Sequence, residues 1–318
     1  MSYFYIMPAI ITLTFSPCID KSVSVAFLAP DIKMSCSLTK SEPGGGGINV
    51  SRAIHKLGGT STAMYVSGGC NGVKFDKLMA EESIKTLVIS SMQETRENII
   101  IVDESNHKQY RFGMPMTLLA VDEWQHFLHY LRQTEDLQYI VVSGSLAPGV
   151  PLSIFSEISA IAVAKKARLI VDTKGDALKQ AVDAGVYLIK PNLGELSALL
   201  GKSKLLVHEI KDVARKLIAS DKCEVVVVSM GDEGAMLVTS NFAQQVRPPL
   251  VERKSTVGAG DSMVAGIVFS LHSGKSLTQV IQYGVACGTA ATLNPGTELC
   301  RLEDVEKMLS NLAITDLD

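Results

Sequence analysis

The chain has 318 residues, of which 47% are hydrophobic and 20% charged, and its formal net charge is −3. This length and hydrophobic content favour one sizeable α/β domain with embellishments, or two modest domains. Because no basic stretch is interleaved with aromatic residues, nucleic acid is not expected as a partner, and any phosphate affinity must come from local geometry.

The N-terminal run MSYFYIMPAIITLTF is apolar, but no basic residue precedes Lys21 and Pro8 interrupts it. These features predict a leading β-strand rather than a signal peptide. No later stretch is long and apolar enough to predict a membrane-spanning helix, so no membrane partner is expected. The six cysteines form no CxxC pair and have no metal-ligand spacing, which is typical of reduced thiols and predicts a cytoplasmic protein.

Residues 20–42 and 95–112 alternate polar and apolar side chains, with turn signals at Pro30-Asp31 and at residues 103–106. The alternation predicts antiparallel β-structure inserted beside the main sheet. A small sheet over the strand ends suits a lid or a dimer surface, and an ordinary edge hairpin is the alternative.

From residue 139 onward, short Val/Ile-rich runs alternate with helical patterns. The predicted strands are 139–145, 168–173, 186–192 and 223–231, and the predicted helices are 153–167, 176–185, 194–201 and 208–220. Near-continuous apolar strands separated by helices predict a mostly parallel sheet covered on both faces.

The stretch STVGAGDSMVAGIVF, residues 255–269, leads a small-residue loop into one carboxylate and then into a helical apolar pattern. Asp261 is expected at or near the N-cap, a position that Asp favours in any helix. The preceding glycines allow backbone N–H groups to converge beside the positive end of the helix dipole, which indicates an anion hole with a carboxylate at its rim.

A second glycine run, Gly44–Gly47, precedes a predicted helix that ends at Gly58-Gly59. Ordering four glycines is entropically unfavourable, so the run is best explained by a ligand lying against the backbone, with a flexible hinge as the alternative. Asn49 is expected one residue inside this helix, with its amide directed at the ligand.

Polar and glycine-rich groups follow several predicted strands, namely SGSLAPG (143–149), KPNLGE (190–195) and VVSMGDEGA (227–235). The carboxyl ends of parallel strands line the ligand crevice of such folds. Asn192 and Glu195, three residues apart, suit a magnesium ion held through its waters, and a helix-capping Asn192 is the alternative. Together these groups favour a nucleotide-and-phosphate crevice.

The motifs PGGGGINVSRA and STVGAGDSMVAG resemble the two signatures of the PfkB, or ribokinase-like, carbohydrate kinases, and the resemblance extends over nearly the whole chain. It implies a ribokinase-like three-layer α/β core with a β-lid, forming a single domain over residues 1–318 that pairs as a homodimer through the lid. It also implies ATP as co-substrate, Mg²⁺ and a K⁺ site. Fructose-1-phosphate and tagatose-6-phosphate kinases usually have GGKGIN, whereas this chain has Gly46 in place of the lysine, as in the family's 6-phosphofructokinases.

The resemblance assigns roles to individual residues. Asp261 is the implied general base, and Gly258, Ala259 and Gly260 form the anion hole. The implied sugar-phosphate residues are Asp20, Lys33, Gly45, Gly46, Asn49, Arg96 and Ser145. The implied nucleotide residues are Lys190, Asn192, Ser229, Gly231, Thr256, Thr289 and Asn294, and the metal residues are Asn192 and Glu195.

The expected reaction is ATP-dependent phosphorylation of fructose 6-phosphate at the C1 hydroxyl. Arg96 and Lys33 suit a substrate that already carries a phosphate. Tagatose 6-phosphate or fructose 1-phosphate is an alternative substrate, and a non-catalytic sugar-phosphate or nucleotide sensor is a rival from another class.

The chain departs from the 6-phosphofructokinase pattern at four positions: Gly194 replaces a lysine, Ser35 and Glu298 each replace an arginine, and Thr289 replaces a serine. Fewer cationic positions are expected to weaken the binding of the sugar phosphate or of a second, regulatory nucleotide.

Overall fold

The computed structural model describes residues 9–37 and 40–318. The strands are β1 (Ala9–Thr14), β2 (Cys18–Val25), β3 (Lys40–Gly44), β4 (Thr62–Gly68), β5 (Lys85–Ser91), β6 (Arg96–Asp103), β7 (Lys108–Gly113), β8 (Leu137–Ser143), β9 (Arg168–Asp172), β10 (Val186–Ile189), β11 (Cys223–Ser229), β12 (Ala235–Val238), β13 (Ala243–Arg247) and β14 (Ala313–Asp316). The helices are α1 (Gly46–Lys56), α2 (Gly69–Glu81), α3 (Val121–Gln133), α4 (Ile154–Lys165), α5 (Gly175–Ala184), α6 (Leu193–Leu199), α7 (Ile210–Ile218), α8 (Ala259–His272), α9 (Leu277–Thr292) and α10 (Leu302–Leu309).

The main sheet has ten strands in the order β14-β13-β12-β11-β10-β9-β8-β1-β4-β5. Its strands from β11 to β5 pair in parallel, and β12, β13 and β14 extend one edge in antiparallel fashion. The mostly parallel α/β sheet expected from the sequence is confirmed.

The two faces of the sheet carry separate apolar layers because side chains alternate along each strand. In β8, Ile140 and Val142 pack in the layer that includes α3 and α4, whereas Tyr139 and Val141 pack in the layer that includes α1, α8 and α9. The same alternation in β11 explains its near-continuous run of valines. Helices therefore cover both faces, and the strand ends are left to bear the polar groups.

The second sheet has four strands in the order β3-β2-β6-β7 and is called the lid sheet below. β2–β3 and β6–β7 are antiparallel, but β2 and β6 pair in parallel from Cys18 and Arg96 onward. The prediction of purely antiparallel structure is therefore wrong for the central pair. β2 follows β1 and β6 follows β5 along the chain. Because β1 and β5 run in the same direction in the main sheet, β2 and β6 leave it at the same end and also run in the same direction.

Most of the predicted elements are confirmed within a few residues. The leading strand corresponds to β1, and the part of that prediction on residues 1–8 lies outside the described residues. The helix predicted over 208–220 is shorter, because a 3₁₀ turn occupies Val207–Glu209 before α7 begins. All six cysteines are free. Within residues 9–37 and 40–318, no helix combines the length and the apolar character needed to cross a membrane.

Candidate active site

The loop before α8 has the geometry of an anion site. Gly258 is the N-cap residue with φ 73°, and a Cβ there would also lie 2.7 Å from Leu299 Cδ2, so glycine is required. The backbone N–H groups of the first turn have no intrahelical acceptor and lie at the positive end of the helix dipole. Asp261 is the third residue of α8, inside the first turn rather than at the cap position.

The carboxylate of Asp261 accepts two side-chain hydrogen bonds. Asn49 Nδ2 donates to Oδ2 at 2.9 Å, and Ser143 Oγ donates to Oδ1 at 3.3 Å. Burial raises the pKa of Asp261, while the hydrogen bond from Asn49, the charge of Lys190 and the hydrogen bond from Ser143 oppose this by favouring the anion. A carboxylate that is oriented in this way and has a raised pKa can accept a proton from a bound hydroxyl group.

The side-chain amide of Asn49 is oriented by the buried Arg52, three residues further along α1. Helix α1 begins at Gly46, so Asn49 is its fourth residue, deeper than the expected position one residue inside. Arg52 Nη1 donates to Asn49 Oδ1 at 3.4 Å, which leaves Nδ2 facing Asp261. Arg52 is only 3% exposed and forms ion pairs with Glu82 at 2.5 Å and Glu42 at 3.7 Å. The amide is thus held by a charged network beneath the helix.

The glycine run Gly44–Gly47 is packed against the protein's own chain. A Cβ at Gly46 would lie 2.5 Å from the carbonyl carbon of Ser143, and one at Gly47 would lie 2.5 Å from the carbonyl oxygen of Leu13. Gly45 has φ 124°, which other residues rarely adopt. Close approach of β8 and β1 therefore accounts for Gly46 and Gly47 without requiring a ligand or a hinge. The assignment of Gly45 and Gly46 to the substrate stays a prediction.

A second polar cluster surrounds Asp20 at the base of the lid sheet. Asn98 Nδ2 donates to Asp20 Oδ1 at 2.9 Å, and the Cys18 thiol donates to the same oxygen at 3.4 Å. Burial raises the pKa of Asp20, and these hydrogen bonds together with the charge of Arg96 partly offset the effect. Asp20 is therefore a buried acceptor held at the junction of the two sheets.

Arg96 lies in the same cluster. Its Nη1 donates to Asn98 Oδ1 at 3.1 Å and its Nη2 donates to the carbonyl oxygen of Ser16 at 3.2 Å. The Nε of Arg96 is buried without a hydrogen-bond acceptor in the described part of the chain. A half-buried guanidinium whose buried Nε has no acceptor suits an anionic group on a ligand.

Two of the predicted sugar-phosphate residues lie outside these contacts. Lys33 is exposed in the loop between β2 and β3, and no described contact brings it to the Asp20 cluster. Ser145 is half-buried two residues beyond β8, whereas Ser143, the last residue of that strand, contacts Asp261. The roles of Lys33 and Ser145 stay predictions.

Lys190 supplies positive charge beside the anion loop. Its Nζ lies 3.2 Å from Asp172 Oδ1, and Lys190 is 5% exposed. Burial raises the pKa of Asp172 to about 6, although Lys190 lowers it; the negative charge of Asp261 adds to the rise. A Cβ built on Gly260 would meet only Lys190 Nζ, at 3.6 Å. Gly260 therefore opens onto space that the described protein atoms do not fill.

Asn192 and Glu195 form a capping box at the start of α6. Asn192 Oδ1 accepts from the backbone N–H of Glu195, and Glu195 Oε2 accepts from the backbone N–H of Asn192, both at 2.9 Å. The capping role that was the alternative to a metal site is thus present. It does not exclude the metal, because Glu195 Oε1 is left for a water-mediated contact. Among the described residues, no group of three or more His, Cys, Asp or Glu side chains could hold a metal on its own.

A cavity of about 270 Å³ opens beside the anion loop. Its walls include six of the predicted residues, namely Ser229, Gly231, Thr256, Ala259, Gly260 and Thr289. Lys190, Asn192 and Asn294 are not among its lining residues. Asn294 is 4% exposed and donates to the carbonyl oxygen of Leu299 at 3.0 Å, so its side chain already makes a hydrogen bond across the 294–298 loop.

Two polar residues in these clusters were missed by the sequence analysis, Asn98 and Asp172, whereas Ser143 begins the segment SGSLAPG that was expected to line the crevice. Asp172 is the last residue of β9, so the same rule on strand ends could have found it. Asn98 lies inside the alternating pattern of β6 and carries no comparable signal.

The chain matches known proteins over nearly its full length. The profile described as pfkB family carbohydrate kinase matches residues 13–304. ATP-dependent 6-phosphofructokinase isozyme 2 of Escherichia coli is 39% identical over 308 residues, covering 96% of this chain and 100% of that protein. A 1-phosphofructokinase of Borreliella burgdorferi is 29% identical over 309 residues, covering 97% of this chain and 99% of that protein.

Solved structures agree with these relatives. A crystal structure of E. coli phosphofructokinase-2 in complex with potassium has a TM-score of 0.91 at 39% identity, and the match covers 96% of this chain and 99% of that one. Another structure of that enzyme is its tetrameric inhibited form, with a TM-score of 0.89 at 38% identity and coverage of 96% and 99%. Arabidopsis thaliana ribokinase shares the fold, with a TM-score of 0.76 at 18% identity and coverage of 96% and 99%. The expected ribokinase-like fold is confirmed, and the chain belongs to the pfkB family of carbohydrate kinases.

Proposed function

We propose that this kinase transfers the terminal phosphoryl group of ATP to the C1 hydroxyl of fructose 6-phosphate, with Asp261 as general base. One observation carries the proposal: Asp261 lies at the anion loop and is held by Asn49 and Ser143 between the nucleotide cavity and the Asp20–Arg96 cluster. The proposed base therefore lies beside the anion loop, which lines the nucleotide cavity, and close enough to the Asp20 cluster for the charge of Asp20 to act on it.

On the nucleotide side, Thr256, Ala259 and Gly260 contribute both to the cavity and to the anion loop. A nucleotide in this cavity directs its phosphates toward the first turn of α8, where free N–H groups and the helix dipole stabilise negative charge. Lys190, beside Gly260, adds a cation at the same place. These features support stabilisation of the charge on the moving phosphoryl group.

On the sugar side, Arg96 has a free buried Nε that suits a phosphate group already present on the substrate. Asp20 supplies an acceptor for a sugar hydroxyl group in the same cluster. A bare sugar would leave the guanidinium without an anion, so a sugar phosphate is favoured. Lys33 is exposed on the adjoining loop, and its role toward the phosphate is proposed from the resemblance alone.

Burial raises the pKa of Asp261, and a more basic carboxylate is a better acceptor for the proton of the attacking hydroxyl group. Asn49 and Ser143 fix the carboxylate so that one oxygen can face that group, and the N–H groups of Gly258–Gly260 face the phosphoryl oxygens. The proton moves to the carboxylate as the new O–P bond forms, and ADP leaves.

Magnesium fits the chemistry of Asn192 and Glu195, whose hard oxygen ligands adjoin the end of β10. Mg²⁺ usually keeps several waters and takes only one or two protein carboxylates, with nucleotide phosphates completing its shell. When bound, the ion would neutralise charge on the phosphates. A K⁺ site near Thr256 and the 294–298 loop is supported by the potassium complex of the E. coli relative.

The substrate is assigned to fructose 6-phosphate because Gly46 stands where 1-phosphofructokinases and tagatose-phosphate kinases usually have lysine. In this structure a Cβ at that position would overlap Ser143, so a lysine requires a shifted backbone. Tagatose 6-phosphate and fructose 1-phosphate are the alternatives, and the Borreliella relative favours the latter. The second alternative is a non-catalytic sensor, which would not need a base beside an anion hole.

Assembly as a homodimer through the lid sheet is proposed because Phe112 in β7 and Phe27 and Ile32 in the loop after β2 are each about half exposed. A tetrameric inhibited form is described for the E. coli relative, so a tetramer is the alternative assembly. We also propose that residues 1–318 act as a single kinase domain and that the enzyme works in the cytoplasm.

The test is a coupled assay of ADP release with MgATP and each of the three ketose phosphates in parallel. We expect the highest kcat/KM with fructose 6-phosphate. A higher value with either other ketose phosphate would keep the mechanism and change the substrate. No turnover with any of them would favour the sensor.

A further inference from the structure

A second cleft, of about 470 Å³, lies at the junction of the lid sheet and the core. One wall is the turn and strand formed by residues 107–111, and the other is the loop of residues 253–256. It is separate from the Asp20 cluster and shares Arg253 and Thr256 with the nucleotide cavity.

The cleft is basic. Its lining includes Arg111, Arg253 and Lys254 and no acidic residue. Arg253 is neutralised by Asp232, with Nη1–Oδ1 at 2.8 Å and Nη2–Oδ2 at 2.9 Å. Arg111 and Lys254 form no ion pair within residues 9–37 and 40–318, and the neighbouring Glu252 does not line the cleft. Two uncompensated cations therefore share one cleft.

The lid and the anion loop are joined here by weak contacts alone. Arg111 Nη2 donates to Thr256 Oγ1 at 3.1 Å, whereas the Ser255 hydroxyl donates to the carbonyl oxygen of Gly296 at 2.7 Å and lies 3.4 Å from Gln109 Oε1. Ser255 Oγ also accepts from the backbone N–H of Val257, the residue before Gly258. An anion bound in the cleft would replace a neutral acceptor of Arg111 with a charged one and connect the lid to the anion loop.

We propose that this cleft binds a phosphate-type oxyanion through Arg111 and Lys254 and thereby holds the lid sheet against the loop that precedes α8. The oxyanion has two possible sources. One is the phosphate chain of the nucleotide in the adjoining cavity, and the other is a separate anion such as inorganic phosphate. Neither basic residue has a role in the proposed reaction described above.

Isothermal titration measures inorganic phosphate binding to the full chain, with a non-hydrolysable ATP analogue and fructose 6-phosphate at saturation. The variants are the double change Arg111→Gln with Lys254→Gln, the single change Lys254→Gln and, as a matched control on the same hairpin, Lys108→Gln. Lys108 does not line the cleft. Thermal melting checks that each variant folds. If the double variant does not fold, the same binding measurements are made on Lys254→Gln, which changes an exposed side chain.

If the anion is separate, the wild-type protein and Lys108→Gln bind phosphate under these conditions, and the double variant binds it at least about tenfold more weakly. If the anion belongs to the nucleotide, phosphate does not bind, the double variant binds the ATP analogue about tenfold more weakly, and adenosine binds both proteins equally. Unchanged binding of phosphate and of the analogue in the double variant overturns the proposal. Only the use of fructose 6-phosphate rests on the proposed function, whose own failure appears as a lack of turnover by the wild-type protein.

Discussion

The side-chain amide of Asn49 donates a hydrogen bond of 2.9 Å to Asp261, a residue 212 positions further along the chain. The contact joins the first turns of α1 and α8, the two helices that follow the glycine runs. Because Asn49 is held in turn by Arg52, the orientation of Asp261 depends on a network buried beneath α1.

Replacing Asn49 by alanine tests this relationship. The hydrogen bond favours the charged carboxylate, so its loss raises the pKa of Asp261 further. The base must be deprotonated to act, and the acidic limb of the pH–rate profile therefore shifts to higher pH. We expect turnover at neutral pH to fall by about tenfold, since hydrogen bonds to charged groups contribute about 1.5–3 kcal/mol. Profiles of kcat against pH for the wild type and the variant measure both effects.

Ser143→Ala is the matched control, because Ser143 makes the longer contact with Asp261, at 3.3 Å. The acidic limb of the pH–rate profile is expected to shift in the same direction in Ser143→Ala as in Asn49→Ala, but by a smaller amount. An Asn49→Ala profile that coincides with the wild type at all pH values contradicts the assigned orientation of Asp261.

Gly46→Ala is predicted to act on stability. The new Cβ would lie 2.5 Å from a backbone carbon of Ser143, so β8 and α1 must move apart. Such overpacking is expected to lower the free energy of unfolding by about 1–3 kcal/mol, measured by urea denaturation. Gly113→Ala is the control, because its Cβ would meet only Asn98 Oδ1, at 4.0 Å. Equal stability of the two variants is evidence against the packing explanation of this glycine run.

Gly260→Ala is predicted to lower turnover and to leave stability unchanged. Its Cβ would make only an ordinary contact with Lys190 Nζ, at 3.6 Å, so the fold is expected to keep its stability. The methyl group occupies the space beside the anion loop that the phosphates are proposed to enter. Turnover is therefore expected to fall by about tenfold or more. Steady-state kinetics and urea denaturation of the same preparation separate the two effects, and full activity would move the phosphate site elsewhere.

The carboxylate of Asp172 predicts a particular dependence of stability on pH. Its folded-state pKa of about 6 lies above the ordinary Asp value, so the folded state binds the proton more tightly. Its contribution to stability is therefore complete below about pH 4 and is lost as the pH rises to about 6. Asp172→Asn removes this decline, which amounts to at most about 3 kcal/mol. Urea denaturation at several pH values measures the slope.

Asp103→Asn is the control, because folding shifts the pKa of Asp103 in the direction opposite to that of Asp172. The hydrogen bond from Ser105 lowers the pKa of Asp103, so its contribution is lost as the pH falls. Removing Asp103 should therefore flatten the acidic decrease in stability, whereas removing Asp172 should flatten the decrease toward neutral pH. The same change of slope in both variants is inconsistent with the assigned environment of Asp172.

The sequence predicted the fold well where local pattern decides it. The valine-rich β11 and the glycine that ends α5 identified a parallel sheet and its helices. The parallel pairing of β2 with β6 was not predictable from alternation, because side chains alternate in the same way in parallel and antiparallel strands. The relative direction of β2 and β6 depends on the main-sheet strands that precede them, β1 and β5.

The candidate site was predictable where a motif combines chemistry with backbone geometry. The loop before Asp261 is such a motif. Asn98 depends on a contact with Asp20 across 78 positions of the chain, which no local pattern encodes, whereas Ser143 lies at a strand end, where the crevice is expected. The close packing of Gly46 and Gly47 was not predictable for the same reason, because the backbone that approaches them belongs to β8 and β1.

The central claim is that Asp261 is the base of a phosphoryl transfer to fructose 6-phosphate. The most direct measurement is kcat for Asp261→Asn with MgATP and fructose 6-phosphate, with ATP binding measured on the same sample. The amide keeps the size of the side chain and cannot accept the proton, so we expect turnover to fall by ~100-fold or more while ATP affinity is retained. Turnover near that of the wild type would remove Asp261 from the mechanism.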